Sequence, residues 1–340
     1  MKVTPPDNEG FGMILWGSRN RPTNPTVSFE GKTVLITGAN TGLGFEAALK
    51  FAQLGASRII LGVRSLQKGE QARTRISEQA VYHIENIKLC EVDMGSFQSV
   101  KLFTQEVSQE EELHVAILNA GLAAPTRRVS PEGYEMSLQV HALSTALASI
   151  LLLPKLRQTS LDSGVSTHLE IVGSIAGRGA KLDELSEKTP ILDQVNDPTF
   201  FSTQKQYIFT KLFEFYVMQG LVQATESWRS SSPEPDVIIN AVCPGLCRTT
   251  LGRDFPPFLR VPIDFVHSMI ARTAEEGARS YVSGVTLGKE AHGELWSGDM
   301  FFNKGEPVTS IQGKKFQMIV WKEIVDLLQP YIPHGDLNLP

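Results

Sequence analysis

Tyr207-Ile208-Phe209-Thr210-Lys211 carries a phenol and an ammonium four residues apart. On a helix, that spacing places both side chains on one face, within reach of each other or of a shared ligand. A free tyrosine keeps its proton until about pH 10, so near neutrality it is a poor acid or base until something favours its phenolate. Lys211 supplies a positive field for that purpose. Taken alone, the same pattern equally describes a partly buried ring beside a solvated charge, so the chemistry depends on what other residues join it.

A second cluster sits at Thr37-Gly38-Ala39-Asn40-Thr41-Gly42-Leu43-Gly44, between an apolar strand-like run and a helical segment. Glycines at this place let a backbone turn tightly and bring its N–H groups against a pyrophosphate at a helix N-terminus; the alternative is a tight turn with no ligand. The next strand-like run ends Leu61-Gly62-Val63-Arg64, where a carboxylate would be expected if a ribose 2′-hydroxyl were held. Arg64, with Lys68 one turn on, instead suits a 2′-phosphate, which favours NADP(H) over NAD(H). Asp93 is placed to accept from an adenine amino group, and Asn119-Ala120-Gly121 to border the cofactor. Helix-cap or turn roles are the alternatives for both.

These residues need a scaffold, and the hydrophobic pattern supplies one. Strand-like runs at 33–37, 58–63, 87–92, 115–119, 169–173 and 237–242, with a weaker one at 293–296, alternate with helical segments at 44–54, 66–79, 96–106, 134–153 and 207–224. That alternation predicts an α/β fold, a single doubly wound Rossmann domain whose central parallel sheet has about seven strands and helices on both faces. The expected organisation is an N-terminal extension at 1–30, the dinucleotide-binding and catalytic domain at 31–330, and a tail at 331–340. Within the domain, 178–206 reads as an insertion. The segment 246–270, with Phe255, Pro256, Pro257, Phe258, Leu259 and Phe265, reads as an apolar substrate lid or as chain packed on the domain.

The 340 residues are 41% hydrophobic and 20% charged, with a formal net charge of −5, the composition of an ordinary soluble globular protein rather than a nucleic-acid binder. Cys90, Cys243 and Cys247 form no disulfide framework and no zinc-spaced cluster, which points to a reducing, cytoplasmic compartment and no metal. The polar, proline-bearing start lacks the order of a secretory signal, and the apolar stretch 142–153 is too short to span a bilayer, so it reads as a buried helix. Phe11-Gly-Met-Ile-Leu-Trp16 is expected to pack on the domain; the alternative is contact with a membrane surface or substrate.

Placed in order, the motifs Thr37-Gly-x-x-x-Gly-x-Gly44, Asn119-Ala-Gly121, Val172-Gly-Ser174-Ile-Ala-Gly177, Tyr207-x-x-x-Lys211 and Pro244-Gly245 with Thr249 resemble the short-chain dehydrogenase/reductase family over residues 31–300. The tail motifs His292-Gly293, Gln317 and Trp321-Lys322-Glu323, with the leader before Gly31, look like its fungal retinol-dehydrogenase-like branch, many of whose members act in secondary metabolism. The resemblance implies that Tyr207 is the general acid/base and that Ser174 hydrogen-bonds the substrate oxygen. It implies that Lys211 holds the nicotinamide ribose and lowers the Tyr207 pKa, and that Pro244, Gly245, Cys247 and Thr249 border the nicotinamide. It implies NADP(H) as cofactor, a small-molecule substrate that is a medium-to-large hydrophobic carbonyl or alcohol, and pairing of copies through the helices at 134–153 and 207–224. Burial within the chain explains the same apolar helices.

Two departures from the family pattern follow. Ser174 and Tyr207 lie 33 positions apart, which makes 178–206 an insertion beside the substrate mouth. His141 stands where the family usually has an asparagine that holds a water in the proton relay. A histidine can pass on a proton itself, it can be a packed residue with the relay rerouted, or the redox chemistry can be impaired. The leading expectation is an NADPH-dependent reductase of a ketone or aldehyde. The alternatives are a non-redox isomerase, cyclase or dehydratase on the same scaffold, and a non-catalytic cofactor-sensing protein.

Overall fold

A computed structural model describes residues 11–226, 234–249, 252, 255 and 270–333. Eight strands form one sheet: β1 (Thr33–Thr37), β2 (Arg58–Val63), β3 (Ile87–Glu91), β4 (Val115–Leu118), β5 (Thr167–Val172), β6 (Val237–Val242), β7 (Leu295–Ser297) and β8 (Met300–Phe302), in the order β3-β2-β1-β4-β5-β6-β7-β8. All neighbours are parallel except β7 and β8. Every residue of β1, β4 and β6 is buried, because helices cover both faces and leave no side for the polar half of an alternating pattern.

Among the described residues the α-helices of six residues or more are α1 (Phe11–Arg19), α2 (Gly42–Gln53), α3 (Leu66–Ala80), α4 (Phe97–Val107), α5 (Thr145–Ser163), α6 (Ile191–Asn196), α7 (Thr203–Ala224), α8 (Ala274–Gly284) and α9 (Ile311–Leu328). Alternate residues of β1 point to opposite faces. Leu35 joins a core with residues of α4, α5, α7 and α9, while Val34 and Ile36 join one with residues of α2, α3 and α8. After β3 the chain returns to the far side of β1 to form β4. That reversal opens a crevice beyond the C-terminal ends of β1 and β4, the place where doubly wound sheets bind ligands.

Several elements differ from the sequence expectation. The helix expected to stop before Pro154 continues through it to Ser163, preceded by a π-helical segment, Leu138–Ser144. Pro154 is exposed, and its ring costs the helix one hydrogen bond, the one to the Ile150 carbonyl. The continuous Leu138–Ser163 segment is long and apolar enough to cross a membrane by length and composition, which corrects the reading of that stretch as too short. In this fold 83% of its apolar window is buried. The β8 strand and helices α1, α6, α8 and α9 carry no expectation from the hydrophobic pattern. For α8 the signal was present as Thr273-x-x-Glu276, a capping box in which each side chain satisfies the other residue's backbone N–H.

The segment 178–206, expected as an insertion, packs into the domain. Ile191, Leu192 and Val195 of α6 are buried, and the Glu323 carboxylate of α9 accepts from the Ile191 and Leu192 N–H groups at 2.9 and 2.8 Å, capping α6. Of the segment expected as a lid, residues 250–251, 253–254 and 256–269, including Pro256, Pro257, Phe258, Leu259 and Phe265, lie outside the described residues.

The apolar content of α7 serves contacts within the chain, because α9 packs across it. A Cβ on Gly220 would fall within the Trp321 indole, 2.5 Å from Cγ and Cε2. Trp321 is buried and cannot swing away. Gly220→Ala is therefore expected to destabilise the protein by about 1–3 kcal/mol from overpacking, despite alanine's better helix propensity. A lowered denaturation midpoint checks this; a raised one would contradict the close α7–α9 contact.

Candidate active site

The glycine turn joins β1 to α2. Gly38 has φ +67° and Gly42 φ +59°, conformations that a side chain rarely adopts. A Cβ on Gly44 would lie 2.5 Å from Asn119 Nδ2 and 2.6 Å from the Gly38 carbonyl. Asn119 ties the crevice together: its Nδ2 donates to the Thr37 carbonyl at 2.8 Å, and its Oδ1 accepts from Tyr281 on α8 at 3.1 Å. The Thr37 hydroxyl accepts the N–H groups of Asn119 and Ala120. Thr41 is the N-cap of α2 with an unused side chain, leaving the first-turn N–H groups of Gly42, Leu43 and Gly44 as donors facing the turn. Asn40 is half-buried beside them.

The other cofactor candidates line the same edge. Arg64 and Lys68 are exposed beyond β2, and among the described residues neither side chain has a protein partner. Asp93, exposed after β3, accepts the Gly95 N–H at 2.9 Å. Gly121 follows β4, and its face abuts His141. Pro244, Gly245, Cys247 and Thr249 follow β6; Thr249 approaches the position of a Gly42 Cβ at 3.7 Å, which places it across the crevice from the glycine turn.

The position of Pro244-Gly245 depends on a residue without a sequence signal. Arg272 is buried, and its guanidinium donates to the Pro244 carbonyl at 2.8 Å, to Asn20 at 2.8 Å and to Gly17 at 3.1 Å. It thereby clamps the end of α1 against the loop after β6. Met13 is buried and Trp16 meets Phe302 edge-on at 5.5 Å, so the described part of the leader packs on the domain as expected.

Ser174 and Tyr207 converge from different elements. Ser174 caps the 3-10 turn Ile175–Gly179, its Oγ accepting from Ala176 N at 3.2 Å, so its proton is still available to donate. A Cβ on Gly177 would meet the Leu212 N at 2.8 Å, so this glycine lets the turn press against α7. Lys211 is buried one turn below Tyr207, with Nζ 5.9 Å from the phenol ring centroid. That Nζ donates to the Val172 carbonyl at 3.1 Å and to Glu214 at 2.7 Å, leaving one of its three N–H groups for a ligand.

Burial raises the Tyr207 phenol above its ordinary value. The Lys211 charge pulls it back, Glu214 opposes Lys211, and hydrogen bonding with Ser174 favours the phenolate. Burial works to lower the Lys211 ammonium, but the Glu214 carboxylate, together with Tyr207 and Cys243, more than offsets it. Burial pushes Glu214 itself up to about 7 against the attraction of Lys211.

His141 is fully buried within the π-helical segment, its ring 5.9 Å from that of Tyr207 and at 85° to it. Its Nε2 accepts from the Leu122 N–H at 3.1 Å, which puts the proton of a neutral ring on Nδ1, facing the Thr210 hydroxyl at 3.0 Å. Thr210 in turn donates to the Tyr207 carbonyl at 3.2 Å. Burial, reinforced by the Lys211 charge, holds the His141 pKa well below its usual value. Both ring nitrogens are thus occupied within the fold.

These features match those of known proteins. The family model described as short chain dehydrogenase matches residues 32–179. The chain is 44% identical over 329 residues to the short-chain dehydrogenase/reductase ffsI of Aspergillus flavipes, spanning 96% of this chain and 95% of that protein. It is 44% identical over 328 residues to the short-chain dehydrogenase/reductase phmF of Phaeosphaeria nodorum, with coverage of 96% and 95%. In fold it resembles a short-chain dehydrogenase from Sphingobium yanoikuyae solved in complex with NADPH, with a TM-score of 0.56 at 18% identity, covering 89% of this chain and 97% of that one. With nearly the whole chain aligned to two fungal relatives, and with a glycine turn and a serine–tyrosine–lysine cluster at one sheet edge, this chain belongs to the short-chain dehydrogenase/reductase family.

Proposed function

We propose that the protein is an NADPH-dependent reductase that converts a ketone or aldehyde of a hydrophobic secondary metabolite to an alcohol. The observation that carries this reading is the convergence of Ser174, Tyr207 and Lys211 beside a glycine turn whose cradle a Cβ would fill. Arg64 and Lys68, exposed and without protein partners among the described residues, fit a 2′-phosphate. Gly38, Asn40, Thr41, Gly42, Leu43 and Gly44 would hold the pyrophosphate, Asp93 the adenine and Asn119 and Gly121 the central crevice. Pro244, Gly245, Cys247 and Thr249 would hold the nicotinamide side. The remaining Lys211 N–H suits a ribose hydroxyl.

When bound, the reduced nicotinamide supplies the hydride. The chain's own part is to meet the negative charge that grows on the substrate oxygen. Ser174 donates a hydrogen bond to that oxygen, Tyr207 gives it a proton, and Lys211 favours the phenolate that remains. His141, with both nitrogens engaged, acts as a positioning residue that fixes Thr210 and the Gly121 turn. The non-redox alternative uses Tyr207 and Ser174 as proton donors and draws its support from the unusual His141, whose two ring nitrogens are both engaged within the fold.

On this reading residues 31–330 are the catalytic unit and the insertion at 178–206 shapes the substrate side. The three free cysteines fit a cytoplasmic setting. Incubation with NADPH and a panel of apolar ketones and aldehydes is expected to consume cofactor absorbance and yield alcohols. Product formed without cofactor consumption would overturn the reductase reading in favour of non-redox chemistry.

A further inference from the structure

Glu214 stands outside every motif of the chain, yet it contacts the catalytic lysine. It lies one turn beyond Lys211 on α7 and is 3% exposed. Its Oε1 accepts from Lys211 Nζ at 2.7 Å. Its Oε2 is buried, has no hydrogen-bond partner among the described residues, and faces Gly173, the residue before Ser174. A buried carboxylate with one oxygen unsatisfied is a costly arrangement for a merely structural ion pair.

We propose that Glu214 sets the charge of the Tyr207 centre. Among the described residues Lys211 is the one buried cation there and balances one anion, so an ionised Glu214 keeps Tyr207 as a phenol, and phenolate formation is accompanied by proton uptake at Glu214. The two states have the same net charge. In one, Tyr207 is a phenol, Lys211 an ammonium and Glu214 a carboxylate; in the other, Tyr207 is a phenolate, Lys211 an ammonium and Glu214 a carboxylic acid. During reduction the phenol O–H bond breaks, its proton goes to the substrate oxygen, and Glu214 takes one proton from water. When Tyr207 is reprotonated, Glu214 gives its proton up again. Over the cycle one solvent proton is consumed with each hydride delivered.

The surroundings favour this exchange. Glu214 is pushed up to about 7, so near neutrality a small change in local charge alters its protonation. The other titratable groups that act on the cluster are the Cys243 thiol after β6, Tyr281 of α8 and His141 of the π segment. His141 is held neutral, so it does not compete as a second cation.

The role in turnover rests on the reductase reading, but the charge coupling does not, and it is measurable without substrate. The probe is tyrosinate absorbance during alkaline titration of the free protein, each variant compared with its own Tyr207→Phe counterpart. Glu214→Gln is expected to lower the titration of Tyr207 by about one to three pH units, the range for loss of an opposing neighbouring charge. Glu214→Asp, which withdraws the charge by one methylene, is expected to move it the same way by less. If either folded variant titrates with the wild type, the proposal is overturned. A wild type that oxidises no NADPH while Glu214→Gln still shifts Tyr207 would remove the reductase reading and leave the coupling intact.

Discussion

Tyr207→Phe is expected to lower kcat by about 10²- to 10⁴-fold, the range for loss of a positioned acid or base, while the protein still folds and binds NADPH. The substitution removes one oxygen from a half-buried ring. The neighbours of that ring, His141 at 5.9 Å and the Lys211 Nζ at 5.9 Å, lie against the ring. The backbone carbonyl that receives Thr210 is unchanged. Ser174 would remain as a donor to the substrate oxygen, which is why residual turnover is expected rather than none. Steady-state kinetics with a responsive carbonyl substrate, beside NADPH binding by fluorescence, separates the two effects. Equal losses of binding and turnover would mean that the phenol holds ligand and is not the proton donor.

Arg64→Ala is expected to weaken NADPH binding about ten- to a hundredfold, because a charge-assisted hydrogen bond to phosphate contributes about 1.5–3 kcal/mol and each 1.4 kcal/mol is tenfold. NADH, which lacks the 2′-phosphate, should bind the variant as it binds the wild type. The difference between the two cofactors is the informative quantity. Arg64 is exposed and unpartnered among the described residues, so its removal leaves no buried acceptor unsatisfied and little reason for unfolding. Lys68, one turn along α3, will retain part of the attraction, and its point charge lacks the paired donors of a guanidinium. Equal weakening of NADPH and NADH would exclude Arg64 from 2′-phosphate recognition.

Much of the fold was legible because parallel strands buried on both faces appear as continuous apolar runs, and the turns between them carry local markers. The runs at 33–37, 58–63 and 237–242 coincide with β1, β2 and β6. The family motifs were legible for a related reason: a glycine turn, or a tyrosine and lysine four residues apart, is a short-range pattern whose geometry follows from the element that carries it. The β8 strand escaped because three residues are too few to show a period. The run of the chain through Pro154 escaped because its tolerance depends on which face of α5 meets solvent.

His141 shows where local reasoning stopped. Its residue type allowed a proton relay, a packed residue or altered chemistry. The partners that occupy its nitrogens come from Leu122, 19 positions away, and Thr210, 69 positions away. Glu214 and Arg272 gave no signal at all. An i,i+3 lysine–glutamate pair on a helix is ordinarily a solvated surface pair, and an arginine before a capping box is unremarkable.

By itself, then, the sequence determined the doubly wound class, the strand ends that carry the glycine turn and Ser174, and the helix that carries Tyr207 and Lys211. These follow from periodicity and from residues close in the chain. The tertiary structure alone decided that α7 is covered by α9, that α1 is clamped to Pro244 through Arg272, and that Lys211 shares its charge with Glu214 away from water. Each of these depends on burial. Burial takes a routine charge pair out of water, and it is set by segments that meet only when the whole chain has folded.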